Sequence, residues 1–353
     1  MKPADGSMEW FTKHSSTLPS PLVQRLDAGR FQCLACAHRC VLSEGAVGIC
    51  NVRFVQDGRF HYPFGYVSSL ACDPIEKKPL YHVLPGADVL SFGMLGCNLR
   101  CDFCQNWDIS QVGRDSSAVA RPVEVTAKAM VDWGVGQGAK AAASTYNEPL
   151  ITAEWAVEVF THAKRVGMRT GMVSNGNATE QVLDFLRPHI DFFKIDLKAF
   201  RADSYRQLGG SLANVLSALR YAVQIGLWVE VVTLIIPDFN DSPDEIRQAA
   251  RFLIGVSEDI PWHLTAFHPD YRRTGVQRTS AETIARLCEV AQEEGVRFVY
   301  AGNTSGMTRD WDDTRCPACR TPLIQRAGFQ IRNIRLDHGR CPQCGTEIPG
   351  IWA

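Results

Sequence analysis

Three cysteines fall within eight residues of this chain, at Cys97, Cys101 and Cys104, directly after the apolar, strand-like segment Asp88 to Leu95. Their C-x3-C-x2-C spacing lets three thiolates bind three corners of a cubic iron–sulfur cluster, whereas a cluster that only carries electrons normally takes a fourth cysteine. A zinc site is the alternative, but structural zinc takes four ligands, usually from C-x2-C pairs. No fourth candidate follows Cys104 closely. The motif therefore predicts a cluster with one iron left open to a small molecule.

Composition limits the domain size, the partners and the location that the chain can have. The chain has 353 residues, of which 45% are hydrophobic, enough for one large domain with appendages. The 37 basic and 38 acidic residues give a net charge of −1, so charge provides no argument for a nucleic-acid partner. Residues 1–20 are polar and contain prolines, and no segment is long and apolar enough to span a membrane. We expect a cytoplasmic protein without membrane association.

The thirteen cysteines are unevenly distributed. Clustered cysteines in a reducing compartment more often bind metals than form disulfides. Cys72 and Cys288 stand alone, and we expect both to be buried thiols. The others form an N-terminal group, the triad and a C-terminal group: Cys33, Cys36, Cys40 and Cys50; Cys97, Cys101 and Cys104; Cys316, Cys319, Cys341 and Cys344.

The chain divides into three predicted regions: a cysteine-rich N-terminal region (1–85), a core (86–305) and a short C-terminal tail (306–353). In the core, strand-like and helix-like segments alternate, which is typical of a parallel sheet covered by helices. We predict an α/β fold, with a partial or complete (β/α) barrel. Ser242, Pro243 and Glu245 match a capping box at the start of one helix. The predicted strands are Asp88–Leu95, Ala139–Thr145, Met168–Ser174, Asp191–Leu197, Leu227–Ile236, Trp262–Phe267 and Arg297–Ala301.

Polar residues follow each predicted strand. In a barrel, the carboxyl ends of the strands meet at one rim, where active sites lie. The first strand leads into the cysteine triad, the second into Asn147 and Glu148, and the third into Ser174 and Asn175. The fourth ends at Asp196 and Lys198, and His268 follows the sixth. Loops are polar in any case, but the repetition at every strand favours a site at this rim.

Several motifs together resemble a known family. The C-x3-C-x2-C spacing, with Phe103 before its last cysteine, resembles the signature of the radical S-adenosylmethionine (SAM) superfamily. The Cys33–Cys50 pattern, the stretch Asp73–His82 and the run Cys104–Ser110 resemble the AmmeMemoRadiSam system enzymes, which are related to pyruvate formate-lyase activases. The resemblance covers about residues 33–305. The Asp73–His82 stretch is otherwise interpreted as a proline-rich linker, or as a cover for the substrate opening through Glu76, Lys77, Lys78 and His82.

The resemblance implies a [4Fe–4S] cluster on Cys97, Cys101 and Cys104, whose open iron binds the amino and carboxylate groups of SAM. Reduction would split SAM into methionine and a 5′-deoxyadenosyl radical, which abstracts hydrogen from an unidentified substrate. It also implies an electron donor such as flavodoxin or ferredoxin, and Memo-like and AMMECR-type protein partners.

The resemblance and the rim positions together assign SAM-binding residues; we assign no catalytic residue. Phe103 would lie against the adenine, or else pack in its loop. Glu148, with Asn147, would bind the methionyl amino group, although both residues also suit a helix start. The predicted cofactor-binding residues are Phe103, Gln105, Asn147, Glu148, Ser174, Asn175, Asp196, Lys198 and His268.

The remaining assignments each have a structural alternative. Ser174 and Asn175 would reach the ribose hydroxyls, or else form a turn. Asp196 and Lys198 would contact SAM, or else form a structural ion pair. His268 would lie near SAM, although a lone histidine is usually structural.

The two flanking cysteine groups predict further metal sites. In the tail, the pairs Cys316/Cys319 and Cys341/Cys344 match a zinc ribbon, with an iron–sulfur cluster as the alternative. For Cys33, Cys36, Cys40 and Cys50, or three of them with His38, zinc and an auxiliary iron–sulfur cluster fit equally well, and a redox role through a labile disulfide is a further alternative.

Three functions remain to be compared. The first is a radical SAM enzyme. The second is an activase that places a glycyl radical on a protein partner, which would show a stable glycyl signal in electron paramagnetic resonance (EPR). The third is a non-catalytic, zinc-rich scaffold, which would be colourless and would not cleave SAM.

Overall fold

The computed structural model describes residues 7–304, 306–308 and 311–353. The N-terminal region consists of short antiparallel strands, which form the three-stranded sheets β2–β3–β4 and β1–β6–β5. Its elements are α1 (Ser7–Lys13), β1 (Ser15–Ser16), β2 (Val23–Arg25), β3 (Phe31–Cys33), β4 (Val41–Leu42), β5 (Phe54–Gln56), β6 (Arg59–Pro63), β7 (Tyr66–Val67) and β8 (Ser69–Pro74), with 3₁₀ turns at Asp27–Gly29 and Ile75–Lys77.

Strands and helices alternate in the core, which follows the N-terminal region. Its elements are β9 (Asp88–Gly93), α2 (Trp107–Ser110), β10 (Val123–Glu124), α3 (Ala127–Gly136), β11 (Ala141–Ser144), a 3₁₀ turn (Pro149–Thr152), α4 (Ala153–Arg165), β12 (Arg169–Ser174), α5 (Glu180–Leu186), β13 (Phe192–Asp196), α6 (Ala202–Gln207), α7 (Leu212–Gln224), β14 (Trp228–Ile235), α8 (Pro243–Val256), β15 (Trp262–Ala266), α9 (Ala281–Glu293) and β16 (Val299–Gly302). The tail contains β17 (Thr314–Arg315), β18 (Pro322–Ala327) and β19 (Gln330–Ile334).

The central sheet has the order β8–β9–β11–β12–β13–β14–β15–β16. Its seven core strands are parallel, and β8 pairs antiparallel with β9 at one edge. Within the described residues the edge strands β8 and β16 do not pair with each other, so the barrel is partial. The α/β prediction is confirmed, and each predicted strand lies within two residues of its observed bounds.

Burial explains why these segments form the core. Trp155, Val159 and Phe160 of α4 are each 2% exposed or less, as the helical spacing of apolar residues predicts. Cys288 in α9 is buried as expected. Cys72 is only half-buried, contrary to the prediction, because β8 is an edge strand and leaves part of its surface uncovered.

The tail packs at the amino ends of the strands, opposite the cysteine triad. The buried Arg326 guanidinium stands 4.0 Å over the ring of Tyr81 and 3.6 Å from the Glu76 carboxylate. Glu230, near the start of β14, accepts hydrogen bonds from the main-chain N–H groups of Tyr81 (3.0 Å) and His82 (2.9 Å). His82 Nδ1 lies 2.7 Å from the carbonyl oxygen of Pro349 in the tail, so Glu76 and His82 anchor the tail on the side of the sheet away from the triad and do not cover an opening beside it. No helix in the described parts of the chain is long and apolar enough to cross a membrane.

Candidate active site

The cysteine triad lies in the loop that leaves the carboxyl end of β9. Cys101 is buried, and Cys97 and Cys104 are half-buried. Arg114 holds this loop, donating hydrogen bonds to the carbonyls of Cys97 and Leu99 (both 2.6 Å) and to that of Ile49 in the N-terminal region. Arg114 was missed by the sequence analysis, because no pattern distinguishes it from other surface arginines.

Asn147 ties the end of β11 to the same loop. Its Oδ1 accepts a hydrogen bond from the main-chain N–H of Met94 (2.9 Å). Its Nδ2 donates to the carbonyls of Gly96 (3.1 Å) and Leu95 (3.4 Å). The observed bonds of Asn147 therefore position the cysteine loop.

Glu148 is 2% exposed and accepts hydrogen bonds on both carboxylate oxygens. Ser174 Oγ (2.8 Å) and the main-chain N–H of Leu150 (3.0 Å) donate to Oε1, and the main-chain N–H of Asn175 (2.8 Å) donates to Oε2. Burial raises the pKa of Glu148 to about 7, although these three donors oppose the shift. The bond from Leu150 is the helix-start contact foreseen as the alternative, but the carboxylate also joins the ends of β11 and β12 beside Cys97.

Asn175 connects the end of β12 to the triad. Its Nδ2 lies 3.9 Å from Cys97 Sγ and donates to Asn98 Oδ1 at 2.7 Å. Ser174, whose hydroxyl also accepts from the main-chain N–H of Gly176 (3.0 Å), shapes the adjacent turn. Contact of either residue with a ribose stays a prediction.

Asp196 at the end of β13 pairs with two lysines. Lys194 Nζ lies 2.7 Å and Lys198 Nζ 2.8 Å from its carboxylate oxygens. Burial alone would raise the pKa of Asp196, but the two ammonium groups outweigh it and hold this pKa well below its usual range. Burial raises the pKa of the Cys101 thiol to about 12, and the nearby Lys198 ammonium opposes that shift. Lys198 thus supplies positive charge beside the triad, whether or not it also contacts SAM.

The last three predicted residues lie in two environments: Gln105 and His268 at the rim, and Phe103 in the packed loop. The Nε2 atoms of Gln105 and His268 lie 3.0 Å apart at the exposed rim. Phe103 is 3% exposed and packs against the Phe239 ring (centroids 5.8 Å apart), with the Arg273 guanidinium 5.4 Å from its centroid. This is the loop packing considered above; the adenine contact stays a prediction.

The distances between sulfur atoms distinguish the tail cysteines from the other two cysteine groups. Tetrahedral zinc, with Zn–S bonds of about 2.3 Å, holds sulfurs roughly 3.8 Å apart. In the tail, Cys316 and Cys344 lie 3.5 Å apart and Cys319 and Cys341 3.6 Å apart. Among the described residues, only these four form a group of three or more potential ligands with all ligand atoms within 4.8 Å of one another.

In the described part of the chain the triad does not meet that spacing, and its three thiolates suit a cluster that binds each sulfur to a different iron. Cys33, Cys36, Cys40 and Cys50 do not meet it either. The donor sets therefore fit two kinds of site: a single metal ion in the tail, and a multi-iron cluster on the triad.

Comparison with known proteins agrees with this chemistry. Residues 93–253 match the model of the Radical SAM superfamily. MJ0808, an uncharacterized protein of Methanocaldococcus jannaschii, is 35% identical over 330 residues, which cover 92% of this chain and 97% of that protein. A pyruvate formate-lyase-activating enzyme of Listeria monocytogenes is 26% identical over 222 residues, which cover 57% of this chain and 88% of the relative.

Among solved structures, a radical SAM methyltransferase from Sphaerobacter thermophilus aligns with a TM-score of 0.49 at 16% identity, covering 85% of this chain and 82% of that one. The family match spans the triad loop and the strands β11 to β14 that carry Glu148, Asn175 and Asp196. The chain belongs to the radical SAM superfamily of enzymes.

Proposed function

We propose that this enzyme cleaves SAM reductively and uses the resulting 5′-deoxyadenosyl radical to abstract hydrogen from an unidentified substrate. A [4Fe–4S] cluster held by Cys97, Cys101 and Cys104 would supply the electron for this cleavage. The observation that carries the proposal is the meeting of the triad, Glu148, Asn175 and Lys198 at the carboxyl ends of four neighbouring parallel strands.

The side chains at this rim have separable roles. Glu148 presents a buried carboxylate beside Cys97, where it would accept hydrogen bonds from the amino group of SAM. Asn147 and Arg114 hold the loop main chain, and this fixes the direction in which the thiols point. Such positioning matters because a shift of about 1 Å between reacting groups can slow a reaction on the order of 100-fold.

The test uses anaerobically reconstituted protein with SAM and dithionite. We expect 5′-deoxyadenosine and methionine to form in equal amounts, and to disappear in a Cys101→Ala variant. Cys72→Ala is the matched control, because Cys72 lies on β8 outside every cysteine group. Absence of both products from protein that carries its full iron content would contradict the proposal.

A glycyl-radical activase is the second candidate, supported by the similarity to pyruvate formate-lyase-activating enzymes. It differs from the first in its product, since the radical would be transferred to a glycine of a protein partner. Incubation with a candidate partner, SAM and reductant should then leave a stable glycyl EPR doublet. Products that appear without such a doublet favour a different substrate.

The finer assignments belong to the same proposal. We expect the electron to come from flavodoxin or ferredoxin, and Memo-like and AMMECR-type proteins are the proposed partners if the chain is an AmmeMemoRadiSam enzyme. For the tail we propose Zn²⁺, because the sulfur spacing fits tetrahedral zinc. Elemental analysis should find one zinc per chain, lost in Cys319→Ser; iron and sulfide at these cysteines would overturn the zinc assignment.

A further inference from the structure

The N-terminal cysteines approach one another although they come from separate segments. Cys33 ends β3 and donates a main-chain hydrogen bond to the carbonyl of Cys40 (2.9 Å), which brings these two residues side by side. A Cβ placed on Gly48 would lie 3.7 Å from Cys50 Sγ and 3.9 Å from Cys40 Sγ, so both sulfurs border the same small space. Burial raises the pKa of Cys36, and the charges of Cys33 and Cys50 raise it further, which places Cys36 beside both.

The group is enclosed, and its sulfurs are not gathered as closely as those of the tail. Cys33, Cys36 and Cys50 are at most 6% exposed, and Cys40 is half-buried. Within the described residues the four sulfurs do not meet the 4.8 Å spacing of the tail site. A cubic cluster binds each cysteine to a different iron, so it suits four separated sulfurs that converge on one space.

Two buried polar side chains act on these cysteines, and each has a donor without an oxygen or nitrogen acceptor. Asn98 is 1% exposed, and its Nδ2 has no oxygen or nitrogen acceptor but lies against the Cys36 sulfur. Arg53 is 1% exposed and pairs with the Glu154 carboxylate through both terminal nitrogens, while its Nε is unpartnered and its positive charge also acts on Cys33 and Cys50. Buried donors are nearly always satisfied in native proteins. Thiolate or sulfide acceptors of a bound cluster would satisfy them.

This space lies directly against the triad loop. Gly96 has φ +86°, and a Cβ there would lie 2.7 Å from the carbonyl oxygen of Cys50. Asn98 is bonded to Cys97 in the chain, and its carbonyl oxygen lies 2.9 Å from His38 Nε2. One asparagine side chain therefore separates Cys36 from the triad, and Asn175 bridges the Asn98 side chain and the Cys97 sulfur.

We propose that Cys33, Cys36, Cys40 and Cys50 bind a second [4Fe–4S] cluster, ligated entirely by protein, which passes single electrons across Asn98 to the triad cluster. Four cysteine ligands leave no iron open, so this cluster carries electrons and does not bind SAM. A one-electron protein donor reduces it, and it is reoxidised when the triad cluster is reduced, with no proton or bond change. The relay role rests on the proposed function; the ligand assignment does not.

The ligand assignment is tested without SAM cleavage. A Cys97→Ala/Cys101→Ala/Cys104→Ala variant, reconstituted anaerobically, should keep about four irons and four sulfides per chain, half of the wild-type content. After dithionite reduction its EPR signal should not change when SAM is added. Further substitution of Cys36→Ala and Cys50→Ala should remove the remaining iron, whereas adding Cys72→Ala should not.

Zinc in place of iron, two irons instead of four, or no metal in the triad variant would each overturn the assignment. Since the triad variant could fail to fold, iron content and EPR signal are also measured in a variant that keeps the triad and loses N-terminal cysteines. Cys36→Ala/Cys50→Ala with an intact triad should lose about half of the wild-type iron and retain only the EPR signal that SAM perturbs. Full iron in that variant would equally overturn the assignment.

The relay is tested by changing the electron source. Cys36→Ala/Cys50→Ala should still cleave SAM with dithionite, which reaches the triad directly, but should lose at least tenfold with reduced flavodoxin. Equal loss with both donors, or no loss with flavodoxin, would overturn the relay. If the wild type holds both clusters yet cleaves SAM with neither donor, the proposed function and the relay fail together while the ligand assignment stands.

Discussion

The hydroxyl of Ser174 donates a 2.8 Å hydrogen bond to the buried carboxylate of Glu148, joining the ends of two neighbouring strands beside the cysteine triad. The donors around this carboxylate hold it in one orientation before any ligand arrives. Burial nevertheless leaves the pKa of Glu148 at about 7, which shows that these donors do not fully stabilise the charged carboxylate. A further positive or hydrogen-bond-donating group would therefore stabilise it.

We predict that Glu148→Gln weakens SAM binding by roughly ten- to a hundredfold. A hydrogen bond to a charged group contributes about 1.5–3 kcal/mol, and 1.4 kcal/mol corresponds to a factor of ten in affinity. Anaerobic equilibrium dialysis with labelled SAM measures the dissociation constant. Glu158→Gln on the exposed side of α4 is the control and should bind SAM as the wild type does. Unchanged affinity in the Glu148 variant would remove Glu148 from the SAM site.

We predict that SAM affinity rises with pH up to about 7 and then levels off. Below its raised pKa the Glu148 carboxyl holds a proton that must leave before it can accept from the amino group, which costs up to about tenfold in affinity per pH unit. Dissociation constants measured between pH 5.5 and 8.5 test this. The glutamine of Glu148→Gln does not ionise, so the pH dependence of its dissociation constant comes from SAM alone. An identical profile in both proteins would exclude Glu148 as the titrating group.

We predict that Gly96→Ala disrupts the junction between the triad loop and the N-terminal region. The new Cβ would lie 2.7 Å from the Cys50 carbonyl oxygen and 2.8 Å from Val52 Cγ1, at a φ of +86°. Gly58→Ala is the matched control, because its φ is also positive, +68°, but nothing lies within 4 Å. Gly96→Ala should lower both the melting temperature and the iron content clearly more than Gly58→Ala does. Similar losses in the two would mean that backbone strain alone is responsible.

We predict that Arg326→Met destabilises the protein by about 3–5 kcal/mol, because it leaves the buried Glu76 carboxylate without its partner. Burial raises the pKa of Glu76, and removing Arg326 would raise it further. Glu76 can then bind a proton at low pH, so the loss in melting temperature should be smaller at pH 5 than at pH 8.

The control for this prediction lies in the same tail. Arg340→Met breaks the exposed pair with Glu347 and should cost no more than about 1 kcal/mol. An Arg326→Met loss that is as small as the control, or independent of pH, would contradict the anchoring role of the Arg326–Glu76 pair.

One helix start shows where local patterns stop being informative. Helix α8 begins at Pro243 as predicted, but the Ser242 side chain does not cap it. Glu245, expected to complete the capping box, instead accepts a hydrogen bond from the main-chain N–H of Phe200 (2.5 Å). A main-chain donor from a distant loop competes for the same carboxylate, and no pattern within the helix encodes that donor.

The amino-acid sequence by itself determined the strand–helix alternation, the strand-end positions of Glu148, Asn175 and Asp196, and the cysteine spacing of the triad and tail. These features depend on the periodicity of apolar residues and on ligands close together in the chain, both of which are local. Only the tertiary structure decided that Asn98 separates Cys36 from the triad, that Arg114 clamps the loop, and that Glu76 and His82 face the tail. Such contacts join segments far apart in the chain, and their distances are set by the packing of the whole sheet and its helices.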